Sequence, residues 1–423
     1  MQFVTIVLFI CAAAAGCHAA PGFLTDFLSN FNIFNNHTSN QISSISEDIQ
    51  PFAKCSIQLK DFTYKQPVFL QGGKIWRQTA PTLNFTGKIT LACPGGTNIL
   101  TTTEDQISQA SCSGAKLRYS GQTFAPGDVT CKTSVTGDVQ TTRQTCAGGK
   151  GTWSIVGFDL RNGSFVELYK VCYNQSTGDA VYSHHKLAGK SIGFKQIEPN
   201  RPSFKSAGSA PGVSPAVAYK GNEQLEMFSK LLGKRQAKKF IELDKNKILA
   251  RGHLAPDGDF SLVPHQFATY FYINVCPQWQ VVNAGNWLKV ETMVRQLSVS
   301  RQDDFEVYTG TYDILSLPDQ NNNHQPLFLT ENQKISVPKY LWKVVYNKRR
   351  QEGIALVTLN NPYEETKPDY LCKNICEDNN WIHDGFENLD KGFTYCCDVN
   401  DLRRKVDTVP SLGVKKVLKF EKK

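Results

Sequence analysis

Several widespread catalytic signatures are missing from this 423-residue chain. It has no Gly-rich phosphate loop, no dinucleotide fingerprint, no His-Glu-x-x-His helix and no nucleophile elbow. Those absences remove P-loop phosphotransferases, Rossmann oxidoreductases, zincin proteases and serine-elbow hydrolases from consideration. Internal repeats are missing too, which argues against a solenoid or propeller. Beyond residue 20 no apolar run is long enough to cross a bilayer, so the mature chain is expected to be soluble, with no membrane partner.

The opening residues are different. An apolar run from Phe3 to Ala15 is followed by Gly16-Cys-His-Ala-Ala20, which reads as a signal peptide over residues 1–19, cleaved after Ala19 or Ala20. Its leading end lacks Lys and Arg, but the run is too short to be an anchor. Secretion agrees with the 13 cysteines, of which Cys11 and Cys17 would leave with the leader. The remaining 11 are expected to form disulfides in an oxidising compartment, and the odd number leaves at least one thiol free or paired between chains. Connectivity is not legible. Cys372, Cys376, Cys396 and Cys397 could make two disulfides or a zinc site, and a secreted chain favours the disulfides. Sequons at Asn36, Asn84, Asn162 and Asn174 mark expected surface and possible glycosylation.

Length beyond one ordinary domain predicts two. Residues 20–150 begin with a polar Asn/Ser-rich stretch. Short β-like runs such as Val68-Phe-Leu70, Ile89-Thr-Leu-Ala-Cys93 and Leu117-Arg-Tyr119 follow, broken by Pro94-Gly-Gly96 and Pro126-Gly-Asp128. They read as a small disulfide-stapled all-β domain, with substrate grip, dimer contact or plain stabilisation all open as its role. Gly148-Gly-Lys-Gly-Thr152 is the expected seam, and residues 151–423 form the second domain, of α+β class. There Val166–Tyr173 and Ala180–His185 suit a hairpin, and His184 and His185 read as strand residues rather than ligands. Net charge is +9 with a pI near 8.8, which favours a polyanionic partner. Basic clusters lie at Lys230–Lys239, Lys348–Arg350 and Lys415–Lys423. A solvated face is the plainer reading of each, and the first is best placed for backbone contacts because it precedes the stretch described next.

That stretch is Lys247-Ile-Leu-Ala-Arg-Gly-His253-Leu-Ala-Pro256. As a strand it puts Arg251 and His253 on one face, while Gly252 leaves room for a close approach and Pro256 stops the pairing. Further on, apolar residues at Trp287, Leu288, Val290, Val294 and Leu297 have helical spacing, with Asn283, Glu291 and Arg295 along one side. Cutting a phosphodiester requires a base for the attacking water, a cation at the leaving oxygen and cationic groups on the spare oxygens. His253 suits the base, Asn283 offers a hard oxygen to Mg²⁺, Glu291 could accept hydrogen bonds from its waters, and Arg251 and Arg295 could clamp phosphate.

With these blocks in view the chain resembles the DNA/RNA non-specific endonucleases of the ββα-metal type. Arg251–Pro256 is similar to that family's Asp-Arg-Gly-His block, and Asn274-Val-Cys-Pro-Gln278 with Asn283-x-Gly-x-Trp287-x-x-x-Glu291 to its metal-helix block. Arg201-Pro-Ser-Phe204 looks like its first phosphate-binding arginine, and Val307–Gly310 and Val337–Val345 like its later strands. The likeness implies a central antiparallel sheet, His253 as general base and Asn283 as direct ligand of one Mg²⁺, or Mn²⁺ in its place. It further implies that Glu291 orients metal-bound water and that Arg201, Arg251 and Arg295 hold the scissile phosphate. Asn274 and Gln278 would line the site and help hold the metal helix. One position departs: the family's acidic residue before the arginine is Ala250 here. The added amino-terminal region, cysteines and leader look most like the crustacean duplex-specific nucleases, and are similar also to insect gut double-strand ribonucleases. Double-stranded DNA, cut to 5′-phosphorylated products, is therefore the implied substrate and partner, with no protein partner evident. A double-strand ribonuclease or sugar-non-specific nuclease of the same family is the alternative. An inactive polyanion-binding protein is the reading from another class, with Ala250 as its support.

Overall fold

β-Branched and aromatic residues crowd residues 151–188, and in the computed structural model, which describes residues 55–161 and 163–421, they pair as successive antiparallel strands. The leader, the Asn/Ser-rich stretch to residue 50 and the sequons Asn36 and Asn162 lie outside the described residues. Strands β1 (Asp138–Cys146), β2 (Gly151–Asp159), β3 (Phe165–Asn174) and β4 (Asp179–Ala188) form one half of a nine-stranded sheet. Helices α1 (Gly221–Leu232) and α2 (Lys234–Phe240) follow, then a separate antiparallel pair, β5 (Leu249–His253) and β6 (Val275–Trp279), and the long helix α3 (Leu288–Arg301). The chain then completes the sheet with β7 (Asp304–Ile314), β8 (Pro338–Asn347), β9 (Glu352–Leu359), β10 (Thr394–Cys397) and β11 (Lys416–Val417). Spatial order is β10-β9-β8-β7-β4-β3-β2-β1, with β11 parallel beside β9.

This is the expected α+β arrangement with a central antiparallel sheet. Val290, Val294 and Leu297 of α3 pack in one apolar cluster with Val307, Val345 and Leu356 of the sheet. Each such side chain contributes about 2 kcal/mol on burial, so α3 is held to the sheet along its length. A second cluster joins Tyr169 and Val171 of β3 to Leu249, Phe271, Trp279 and Trp287, which seats the β5–β6 pair. Among the described residues no helix is long and apolar enough to cross a membrane.

Residues 68–124 make a six-stranded antiparallel sheet, stapled by Cys55–Cys112 and Cys93–Cys131. Its apolar core, including Phe69, Leu91 and Leu117, continues into Phe158, Val166 and Leu262, so the two sheets share one cluster. Gly148 and Gly149, expected as a seam, instead form the connection between β1 and β2 of the large sheet, and Cys146 is bonded to Cys172 of β3. Glycine permits a tight hairpin connection as readily as a linker, which is why composition misled there. The four late cysteines pair as Cys372–Cys397 and Cys376–Cys396, both disulfides rather than zinc ligands. The odd thiol is Cys276, buried on β6.

Candidate active site

The pairing of β5 with β6 sets Ala250 opposite Gln278, Gly252 opposite Cys276 and His253 opposite Val275. Glycine is needed at 252 because a Cβ there would lie 2.0 Å from the Gln278 side chain. On either side of it Arg251 and His253 share a face, as alternation requires. Phe204 touches both, its ring 5.2 Å from the His253 ring and 5.8 Å from the Arg251 guanidinium. Tyr219 and Tyr272 lie 5.7 and 5.8 Å from the same guanidinium, and its Nε donates to the Tyr272 hydroxyl at 3.3 Å. A collar of three aromatic faces therefore fixes the direction in which Arg251 points. His253 is enclosed by Phe204 and by Tyr270 at 5.0 Å. Burial pushes its imidazole down to about 4, with Asp257 opposing and Arg201 assisting, and its Nε2 is buried with no hydrogen-bond partner. At neutral pH this ring is uncharged and able to accept a proton.

The loop after His253 supplies two carboxylates. Asp257 accepts from the Tyr270 hydroxyl at 2.8 Å and faces Arg201 Nε at 3.8 Å. Burial would raise its carboxyl, but His253, the Tyr270 bond and Arg201 hold it below the ordinary range. Asp259 is fully buried between His185 Nε2 at 2.8 Å and Arg295 Nη1 at 3.0 Å. Burial opposes ionisation there as well, yet His185, Arg295 and Lys343 hold Asp259 far below the usual carboxylate range. Asn274 fixes this loop's path, accepting from Ala255 N at 3.0 Å and donating to the carbonyls of Ala255 and Thr269 at 2.9 and 3.0 Å.

The helix side departs from a regular spiral. Residues Asn283–Trp287 form a wide π-type turn before α3, with Gly285 at φ −95° and ψ −122°. A Cβ on Gly285 would meet the Lys391 carbonyl at 2.8 Å, and Asn286 Nδ2 donates to the carbonyls of Gly385 and Gly392 at 2.6 and 2.7 Å. Close approach of the 385–392 segment thus interrupts the 3.6-residue spacing assumed from Asn283 to Glu291. Within α3, Glu291 and Arg295 do sit one turn apart, Nη1 to Oε2 at 3.7 Å. Burial pushes the Glu291 carboxyl up to about 7, against the pull of Lys343 and Arg295. Lys343 is itself fully buried, donates to Thr309 Oγ1 at 2.6 Å and lies 5.2 Å from the Trp287 ring centroid.

A cleft of about 730 Å³ lies over these groups, lined among others by Lys195, Arg201, Asp257, Glu291 and Arg295. It gathers three of the expected residues, Arg201, Glu291 and Arg295. His253 and Arg251 are not among its lining residues; His253 feels the charges of Asp257 and Arg201, which are, and Arg251 meets His253 across the Phe204 ring. Asn283 is half-buried at the head of the wide turn, and its side chain makes no hydrogen bond among the described residues. Asn274 and Gln278 do not line the cleft: both are fully buried, Gln278 on β6 and Asn274 in the short turn Tyr272–Asn274 before it, where it braces the loop after His253 rather than the helix. Asp257, Asp259, Lys195 and Lys343 were not singled out from the sequence. An acidic pair two residues apart immediately after the histidine block was the available signal for the first two. His185 lies on β4 as expected and serves as a partner of Asp259.

A hydrated hard cation fits this donor set. Glu291 is a buried carboxyl whose charge is only partly balanced, and the Asn283 side chain makes no hydrogen bond among the described residues, leaving its amide oxygen spare. Mg²⁺ is commonly held by one or two protein oxygens with the rest of its shell water.

Comparison with known proteins follows the same lines. The sequence profile of the DNA/RNA non-specific endonucleases matches residues 149–402. A salivary endonuclease of Lutzomyia longipalpis is 34% identical over 334 residues, covering 73% of this chain and 79% of the relative. Salivary protein Tsal2A of Glossina morsitans morsitans is 28% identical over 381 residues, covering 87% and 95%. A chain in the crystal structure of the EndoG/EndoGI complex aligns over 59% of this chain and 87% of its own length, with 15% identity and a TM-score of 0.36.

Proposed function

This chain belongs to the DNA/RNA non-specific endonuclease family, and from that premise we propose a secreted, Mg²⁺-dependent enzyme that cuts double-stranded DNA with His253 as general base. The observation that carries the reading is the uncharged, partnerless Nε2 of His253 beside the Arg201–Asp257 pair and the cleft holding Glu291 and Arg295. Water bound in the cleft gives its proton to His253 as its oxygen attacks phosphorus. The P–O3′ bond breaks, the departing O3′ takes a proton from solvent water and His253 returns its own to solvent, leaving a 5′-phosphate and a 3′-hydroxyl. A positioned base of this kind is worth about 10²–10⁴ in rate.

Arg201 and Arg295 take the non-bridging oxygens, and Asp259, braced by His185, keeps Arg295 aimed at the cleft. Arg251 reaches the phosphate from its aromatic collar. Asn283 and Glu291 would hold a hydrated Mg²⁺, or Mn²⁺ in its place, Asn283 as direct ligand and Glu291 through water. The ion, when bound, neutralises charge on the phosphoryl and departing oxygens. Ala250 leaves each of these roles filled. Secretion is supported by the leader-like first 19 residues, the five disulfides and the salivary origin of the relatives. Glycans are proposed at the sequons, of which Asn84 and Asn174 are both partly exposed.

Supercoiled plasmid with Mg²⁺, with and without chelator, tests the reaction, and chelator-insensitive or absent nicking refutes it. Matched DNA duplex, RNA duplex, hybrid and single strands, digested side by side, test the substrate. Faster cleavage of duplex RNA would replace double-stranded DNA as the substrate and leave the chemistry standing.

A further inference from the structure

Beside the catalytic cleft lies a second one of about 750 Å³, at the C-terminal end of α3, lined by seven cationic side chains against three carboxylates. Lys186 and Lys190 come from the end of β4 and the turn after it, Lys348, Arg349 and Arg350 from the β8–β9 turn, and Arg77 from the small N-terminal sheet region. Several of these charges are anchored rather than free to swing. Arg77 Nη2 lies 2.7 Å from both carboxylate oxygens of Asp304, while Arg349 and Arg350 share the buried Asp303 at 2.8 and 3.1 Å. Lys190 and Lys348 are exposed and hold no ion pair among the described residues. The two clefts draw on neighbouring stretches of chain, Ile192, Val299 and Ser300 lining the first and Lys190, Arg301 and Gln302 the second.

We propose that this second cleft is a phosphate track, occupied by the backbone of the same nucleic-acid strand a few nucleotides from the scissile bond. The proposal rests on the nuclease reading above and adds the N-terminal region, through Arg77, to the substrate-binding surface. Spacing supports it. Six residues of helix separate Arg295 from Arg301, about 9 Å of rise at 1.5 Å each. One strand of a duplex advances about 3.4 Å along its axis per nucleotide, so a separation of this size lies within a few nucleotides of backbone. A cluster of fixed guanidiniums with two unpaired ammonium groups suits sequence-independent phosphate contact, and no aromatic side chain lines the cleft to stack a base. Its Lys348–Arg350 segment is the second of the three basic clusters noted in the sequence, and folding brings it next to the end of α3.

The test is binding in chelator, where cleavage does not interfere. Wild type, Lys190→Ala/Lys348→Ala and a control Lys88→Ala/Lys116→Ala are titrated with a labelled DNA duplex of about 24 base pairs across a salt series. The control removes the same net charge from exposed lysines of the small sheet region. The cleft pair is expected to bind about tenfold more weakly near 0.1 M salt, with the slope of log K against log salt reduced by about two. The control should match wild type in both. A cleft pair with wild-type affinity and slope, or a control that loses as much as the cleft pair, overturns the track. Plasmid nicking by wild type is scored separately: binding with the expected slope but without nicking keeps the track and removes the nuclease reading.

Discussion

The two sheets of this protein bury different kinds of side chain. In residues 55–137 the fully buried polar groups are Gln66, Gln78, Asn98 and Ser108, none of them ionisable, around an apolar core stapled by two disulfides. Around α3 and the large sheet the buried set includes His185, Asp259, Glu291 and Lys343. Burying charge costs several kcal/mol per ion unless partners compensate, so the second region gives up stability that the first does not. The lesson is a division of labour. One sheet can be optimised for cohesion, while the other holds ionised groups where water would otherwise weaken their field.

The most severe way to probe that division is His253→Ala. Cleavage should fall about 10²–10⁴-fold while duplex affinity in chelator stays put. Cleavage within tenfold of wild type would remove His253 from its role. Next comes Asp259→Ala, which strands His185 and Arg295 and should cost about 3–5 kcal/mol in chemical denaturation. A loss under about 1 kcal/mol would mean that the charged network is not compensated as described. Removing the Cys93–Cys131 bond by a double Cys→Ala change opens a link of 38 residues' separation and should cost about 2–4 kcal/mol, with turnover per folded molecule preserved. Lost turnover at full folding would show that the small sheet acts on the site more directly than by cohesion.

The most gradual effect is one of pH. Glu291 is raised from the ordinary glutamate value to about 7 in the folded chain, so between about 4.5 and 7 the folded state holds a proton that the unfolded state has released. Stability should then fall as pH rises through that window in chelator, by up to about 3 kcal/mol. Glu291→Gln should flatten the fall, and Mg²⁺ should reverse it. A wild-type melting curve with no such slope would sink the assignment.

Much of the site was legible because its signals are local. Alternation through Arg251-Gly-His253 requires only a strand, and the i,i+4 relation of Glu291 and Arg295 requires only a helix; both formed. What escaped notice depends on distant partners. The wide turn at Gly285 exists because the 385–392 segment, a hundred residues on, presses against it. Asp259 gains its meaning from His185, 74 residues earlier. Asn274 read as a lining residue because the family block contains it, but its side chain is claimed by Ala255 and Thr269, partners that only the folded loop brings to it. The disulfide pairing and the course of the chain through Gly148–Gly149 were likewise tertiary facts.

Cys276 sits across from Gly252 in the very pairing that presents His253. Burial pushes its thiol up to about 12, so in the closed state it is inert toward alkylating reagents. Any labelling must wait for β5 and β6 to separate. Nature has left a stopwatch at the hinge of the reaction: the rate of its modification measures how often the histidine-bearing strand lets go.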